Sequence, residues 1–145
     1  MTGRGWARLF CRMIVGLLFL MAGWFKVFEM TPMGHATRLF TEPYADTWIP
    51  HFVLLLLGLA IPIVELLAGF LLVVGWRTRE ALVALGVILV IVTYGHTLKE
   101  PIFSIAEHIL PRAALIVAAL VLPAEEDALS VDGWLARRGV RGAGP

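Results

Sequence analysis

The feature that most constrains this chain is a run of twenty-five residues, Phe52 to Trp76, that contains one charged side chain, Glu65. A helix crossing the ~30 Å hydrocarbon core of a bilayer needs about 20 consecutive apolar residues, so this run is long enough to span. A second run, from about Leu9 to Phe28, follows Arg4, Arg8 and Arg12. It ends in Trp24-Phe25-Lys26 with no small-x-small cleavage site behind it, the pattern of an uncleaved signal-anchor helix. A third run, Ala81 to about Leu98, starts directly after the polar turn Arg77-Thr78-Arg79-Glu80. Composition agrees with this pattern. Of 145 residues 59% are hydrophobic and 16% charged, where soluble domains carry roughly 45–50% and about 25%. Neither a water-soluble globule nor a disordered chain fits. A net charge of +1 leaves no basic excess for nucleic acid.

The fourth span is the least obvious. Between Arg112 and Glu125 lie twelve uncharged residues, which at 1.5 Å rise cover about 18 Å. A crossing helix that ends near Leu122 must therefore begin near Phe103 and carry Glu107, His108, Pro111 and Arg112. The alternative, a half-span, leaves backbone groups that need cover from protein or water. The expected fold is all-α: an integral membrane four-helix bundle over residues 1–123, with spans at about 9–28, 52–76, 81–98 and 103–122. Residues 124–145 form a tail, in which Ser130 is a candidate N-cap for a short interfacial helix carrying Trp134. Eight basic residues lie in the N-terminus, the 77–79 turn and the tail, against three in the other two loops. The positive-inside rule then places both termini in the cytoplasm. Small residues such as Gly16, Gly23, Gly58, Ala68, Gly69 and Gly86 suit close helix packing, the main attraction available in lipid.

Ionisable groups inside the membrane carry the most information, because a charge at mid-depth costs roughly 2.5–3.5 kcal/mol on insertion scales. Glu65 lies eleven residues before Trp76, and Arg112 eleven before Pro123. Both therefore fall about 16 Å from their helix ends. Matching depth predicts a Glu65–Arg112 pair, with the Thr93 and Tyr94 hydroxyls at the same level. Pro62 cannot donate to the Gly58 carbonyl, so it should kink the second helix one turn before Glu65. Nearer the opposite end lie Lys26, His96, Glu107 and His108, a candidate proton-handling layer. His96 and His108 rank above His35, in the first loop, and His51, at the opening of the second helix, because their helix turns lie closer to the buried pair. Each of these has a plainer reading: a register clamp for Glu65–Arg112, a solvated ring for each histidine, interfacial snorkelling for Lys26. No intrinsic cofactor is expected. One cysteine, Cys11, excludes an internal disulfide and a thiolate cluster, and no spacing calls for haem on His96 and His108.

Three motifs resemble DoxX-like proteins: Arg12 to Lys26 with its Gly16 and Gly23, Ile63-Val64-Glu65-Leu66-Leu67-Ala68-Gly69 followed by Val74-Gly75-Trp76-Arg77-Thr78-Arg79, and the tail Leu129-Ser130-Val131-Asp132-Gly133-Trp134-Leu135. The resemblance implies a four-helix subunit of the bacterial inner membrane, working beside a partner redox protein as in thiosulfate:quinone oxidoreductases or oxidative-stress assemblies. The leading expectation is a quinone-interacting subunit, with Glu65, Arg112, Tyr94 and His96 supplying hydrogen bonds and protons. The alternatives are a membrane scaffold or assembly factor, and a small proton-coupled transporter. Expected partners are the lipid bilayer, another protein subunit and a second copy of the chain.

Overall fold

Threonine opens the first helix: the Thr2 hydroxyl accepts the Gly5 N–H at 3.1 Å, and α1 runs Gly3–Trp24. In this computed structural model residues 1–100, 107 and 109–142 are described. A wider π turn, Phe25–Glu29, continues α1 into a 27-residue apolar helix. The connection to the next long helix is itself folded. Thr31 caps the short helix α2, Pro32–Ala36, which passes into a second π turn, Thr37–Thr41. Next come α3, His51–Val74, and α4, Thr78–Lys99. The last described elements are α5, Leu110–Val121, and α6, Val131–Gly142. No strand occurs among the described residues.

Three of these helices, Gly3–Glu29, His51–Val74 and Thr78–Lys99, are long and apolar enough to cross a membrane. They overlap the first three expected spans; the first and third extend beyond the expected bounds, while the second begins one residue earlier and ends at Val74, two residues before the expected Trp76. α5 has 12 residues, about 18 Å of helix. Its first turn holds Pro111, where a missing N–H costs nothing. Glu107 stands exposed in the turn before it, while residues 101–106 and 108, and with them the expected start of the fourth span, lie outside the described residues. Large apolar side chains face outward along the helices, Phe52 at 70%, Val90 at 70% and Val121 at 78% exposed. Exposed apolar surface on this scale is a lipid-facing wall. Exposed aromatic residues mark both ends of the helices, Trp6 and Trp76 at one and Trp24, Phe28 and Trp48 at the other, as interfacial belts do.

Packing follows the small residues. α1 lies directly on α3, and a β-carbon at Gly23 would strike the Leu66 backbone, as one at Gly69 would strike that of Leu20. α5 packs against α1 and α4. Val15, Phe19, Ile61, Leu72, Leu85, Ile88 and Ile116 fill the centre. α3 ends at Gly75, whose φ of +77° needs no β-carbon; the N–H groups of Gly75 and Trp76 both turn back to the Leu71 carbonyl.

The end of the bundle that holds Gly75 is tied by charged side chains. Helix C-termini leave four carbonyls without intrahelical donors, and arginines from the start of α1 take them. Arg12, 1% exposed, donates to the Leu72 carbonyl, to Val73 at 3.0 Å and to Leu129 at 3.1 Å. Its Nε meets Asp127 Oδ2 at 2.8 Å, a fully buried ion pair. Arg8 reaches the Ala119 carbonyl at 2.5 Å and also that of Leu122, at the end of α5. The tail completes the set. Asp132 accepts from the Arg77 and Thr78 N–H groups, both at 2.9 Å, and so caps the start of α4. Ser130 caps α6 as expected, accepting the Gly133 N–H at 3.0 Å.

Removing one partner of the buried pair leaves a charge uncompensated. Arg12→Met should lower unfolding free energy by about 3–5 kcal/mol, and adding Asp127→Leu should recover the part due to the stranded carboxylate but not the part due to the three carbonyls that lose their donor. Denaturant titration in detergent micelles reads both; an unchanged midpoint for Arg12→Met would show that the clamp carries no stability.

Candidate functional site

Pro62 sits inside α3, fully buried, and has no N–H for the carbonyl four residues earlier. That carbonyl, Gly58, is taken by a side chain from another element: His35 Nδ1 lies 2.7 Å from it. His35 is 2% exposed, and burial lowers its pKa from the ordinary 6.5, so the ring is neutral at pH 7. α2 can lie this close because Gly58 has no side chain; a β-carbon there would collide with Ala36. The loop from Met30 to Pro50 is thus folded onto the bundle. Its far end is held by Asp46, which meets Lys99 of α4 at 2.7 Å, and the ammonium holds the Asp46 carboxyl below its usual range.

Between this loop, α3 and α4 lies a cavity of about 250 Å³. Its walls are mostly aliphatic and aromatic, and its polar groups are Lys26, His35, Tyr44, Tyr94 and His96. Lys26 is paired: its Nζ donates to Glu65 Oε2 at 2.6 Å, and Glu65 is 5% exposed. A cation backed by a carboxylate therefore stands at the wall of a mostly apolar chamber. An apolar cavity of ~150 Å³ holds a benzene ring, so this one has room for a single substituted ring.

The residues picked out by sequence divide three ways. Lys26, Tyr94 and His96 line the cavity, and Glu65 lies immediately behind Lys26. Arg112 does not join them. Its guanidinium lies 5.8 Å from the centre of the Phe19 ring, and the carboxylate expected to pair with it is held by Lys26. The reason is rotational. Lys26 is one turn beyond Gly23, the point where α1 touches Leu66 beside Glu65, whereas α5 packs on α1 and α4. Glu107 is exposed in its turn, and His108 lies outside the described residues. Sequence reasoning ranked His35 below His96 and His108 and did not place Tyr44 in a site. The missing signal was available, since a proline inside a membrane helix predicts a freed carbonyl that some donor must satisfy.

His35→Leu should cost about 1–3 kcal/mol by leaving the Gly58 carbonyl buried and unpaired. Pro62→Ala in the same chain restores the helical N–H donor and should recover most of that loss. Equal destabilisation of the single and double variants in a thermal melt would refute this account of the Gly58 carbonyl.

Comparison with known families supplies a match over most of the chain. The family model described as "Methylamine utilisation protein MauE" matches residues 4–99. Comparisons with curated proteins and with solved structures find no match. The family match overturns the resemblance to DoxX-like proteins. Two of the motifs that carried it, Arg12 to Lys26 and Ile63 to Arg79, lie inside the matched segment and belong to this different membrane family. They consist of small residues, aliphatic residues and single charges, a vocabulary that closely packed membrane helices share. The third motif lies outside the match, where Ser130 and Asp132 act as helix caps. With three helices long enough to span, the protein is a multi-pass membrane protein, and the chain belongs to the MauE family.

Proposed function

We propose that this protein is a membrane component of amine utilisation that holds a quinone-class ring for a partner redox protein, and is not a self-sufficient enzyme. The observation that carries the reading is a coincidence of extents: the family match covers 4–99, and every residue lining the cavity lies within it. The cavity has the character of a site for a lipid-soluble ring, with aliphatic walls, room for one substituted ring and a small set of convergent polar groups. Lys26, fixed by Glu65, is a donor for a ring oxygen, and the Tyr44 and Tyr94 hydroxyls can donate or accept. Oxidative breakdown of an amine releases electron pairs, and a membrane offers lipid-soluble carriers to take them. Cys11, the one cysteine, cannot form a dithiol within the chain. The electron-donating group is accordingly assigned to the partner, and binding and orienting the ring to this protein.

The proposal includes an orientation. Positive-inside counting puts both termini, the arginine clamp and α6 on the cytoplasmic side of a bacterial inner membrane. The folded loop and the cavity are then outermost, where a partner docks. In this frame α5 belongs to the fourth crossing.

Native mass spectrometry of the protein extracted from its own membranes in mild detergent tests the reading. The expected spectrum carries an added mass equal to a quinone or its quinol, lost in a Leu57→Trp variant that fills the cavity. A spectrum with a bound polypeptide and no small molecule would overturn the ring-binding reading in favour of a scaffold.

A further inference from the structure

The hydrogen bond between His35 and Gly58 determines more than the position of a loop. A backbone carbonyl can only accept, so the proton of a neutral His35 ring must sit on Nδ1. The second ring nitrogen, Nε2, then has a lone pair and no proton. Burial keeps the ring neutral at pH 7. Both the loop and the ring are held in place, because Ala36 rests on Gly58 and the imidazole lies against Phe40 at 5.4 Å between ring centres. His35 lines the cavity with Nδ1 already bonded, so Nε2 is the ring nitrogen left to serve as an acceptor there, and Lys26 supplies a cationic donor.

We infer that His35 is a specificity-determining residue of the cavity, and that it selects the hydroxyl-bearing, reduced ring, a quinol, over the corresponding quinone. This rests on the proposal that the cavity takes a quinone-class ligand. Both oxygens of a quinone are acceptors, and one of them facing Nε2 sets two lone pairs against each other. A quinol hydroxyl donates to Nε2, while its second oxygen accepts from Lys26. A site built to bond a hydroxyl discriminates against the analogue that lacks it, since a buried polar group is otherwise left unpaired. The causal chain runs from Pro62 through the Gly58 carbonyl to the tautomer of His35, and from the tautomer to the redox state of the ligand.

The test uses the full chain in lipid nanodiscs, with equilibrium dialysis of a short-tailed benzoquinone and of its chemically reduced quinol under argon. The wild-type protein should bind the quinol about tenfold more tightly, the scale of one buried hydrogen bond. His35→Asn places an amide N–H where Nδ1 was, keeping the Gly58 bond but removing the acceptor at Nε2, and it should bind both forms equally. His35→Gln places an amide oxygen near the Nε2 position and should keep the preference while melting at lower temperature. Equal affinities in the wild type, or a preference that survives His35→Asn, would overturn the inference and leave ring binding standing. Binding of neither form would overturn both. If His35→Asn does not fold, the double variant His35→Leu/Pro62→Ala, which removes the acceptor while giving the Gly58 carbonyl a helical donor, decides alone, and a preference that survives there refutes the role of His35.

Discussion

In hydrocarbon there is no water to take up a carbonyl that a helix leaves without a donor, and each one left bare costs several kcal/mol. This constraint organises the molecule. The carbonyls at the end of α3 are taken by Arg12, those at the end of α5 by Arg8, and the one released by Pro62 by His35. At the start of α4 the converse problem, N–H groups without acceptors, is solved by Asp132. In each case the satisfying side chain comes from a different part of the chain. The same bonds that make the backbone tolerable in lipid therefore tie α1 to α3, the loop to α3, and the tail to the turn before α4.

The two ends of the bundle use charge differently. At the clamp end Arg12 and Asp127 are both sealed from solvent, and the pair is surrounded by further hydrogen bonds to backbone. Attraction within such a pair roughly offsets the cost of drying it, so its consequence is register: α1 cannot slide past the tail that carries Asp127 without separating ions. At the cavity end Lys26 is a quarter exposed while Glu65 is buried. This pair presents its cation to a chamber and hides its anion, which leaves one face chemically available. That asymmetry separates a structural pair from one that can meet a ligand.

Much of the fold was legible because membrane helices advertise themselves. An uninterrupted apolar run has one stable form in lipid, and the Phe52–Trp76 run, the Ser130 cap and the small residues between α1 and α3 were all visible in the linear chain. Glu65 was correctly singled out as a buried charge, yet its partner was misassigned. Depth along a helix can be counted from residue number, but rotation about the axis depends on which face meets a neighbour. Arg112 faces Phe19, on the α1 turn that meets Gly69 and not the one beside Glu65; Lys26 reaches Glu65 because Gly23 brings α1 onto α3 one turn earlier. Arg8 and Arg12 read as topology signals in sequence, and three-dimensional packing gives them a second role as helix caps. The family resemblance failed for a related reason, since motifs built from packing residues report how helices touch more than which protein they belong to.

What the sequence determined by itself was the solvent and the class of structure: helices in a membrane, with a carbonyl freed by Pro62 and a costly carboxylate at Glu65. These follow from composition and local chemistry, which act on neighbouring residues in the chain. Tertiary structure alone decided that His35, in a loop between spans, would close over Gly58, and that Lys26 would hold Glu65. Both contacts join residues more than twenty positions apart. Their formation depends on how helices rotate and approach, a property of packed surfaces that no stretch of sequence contains by itself.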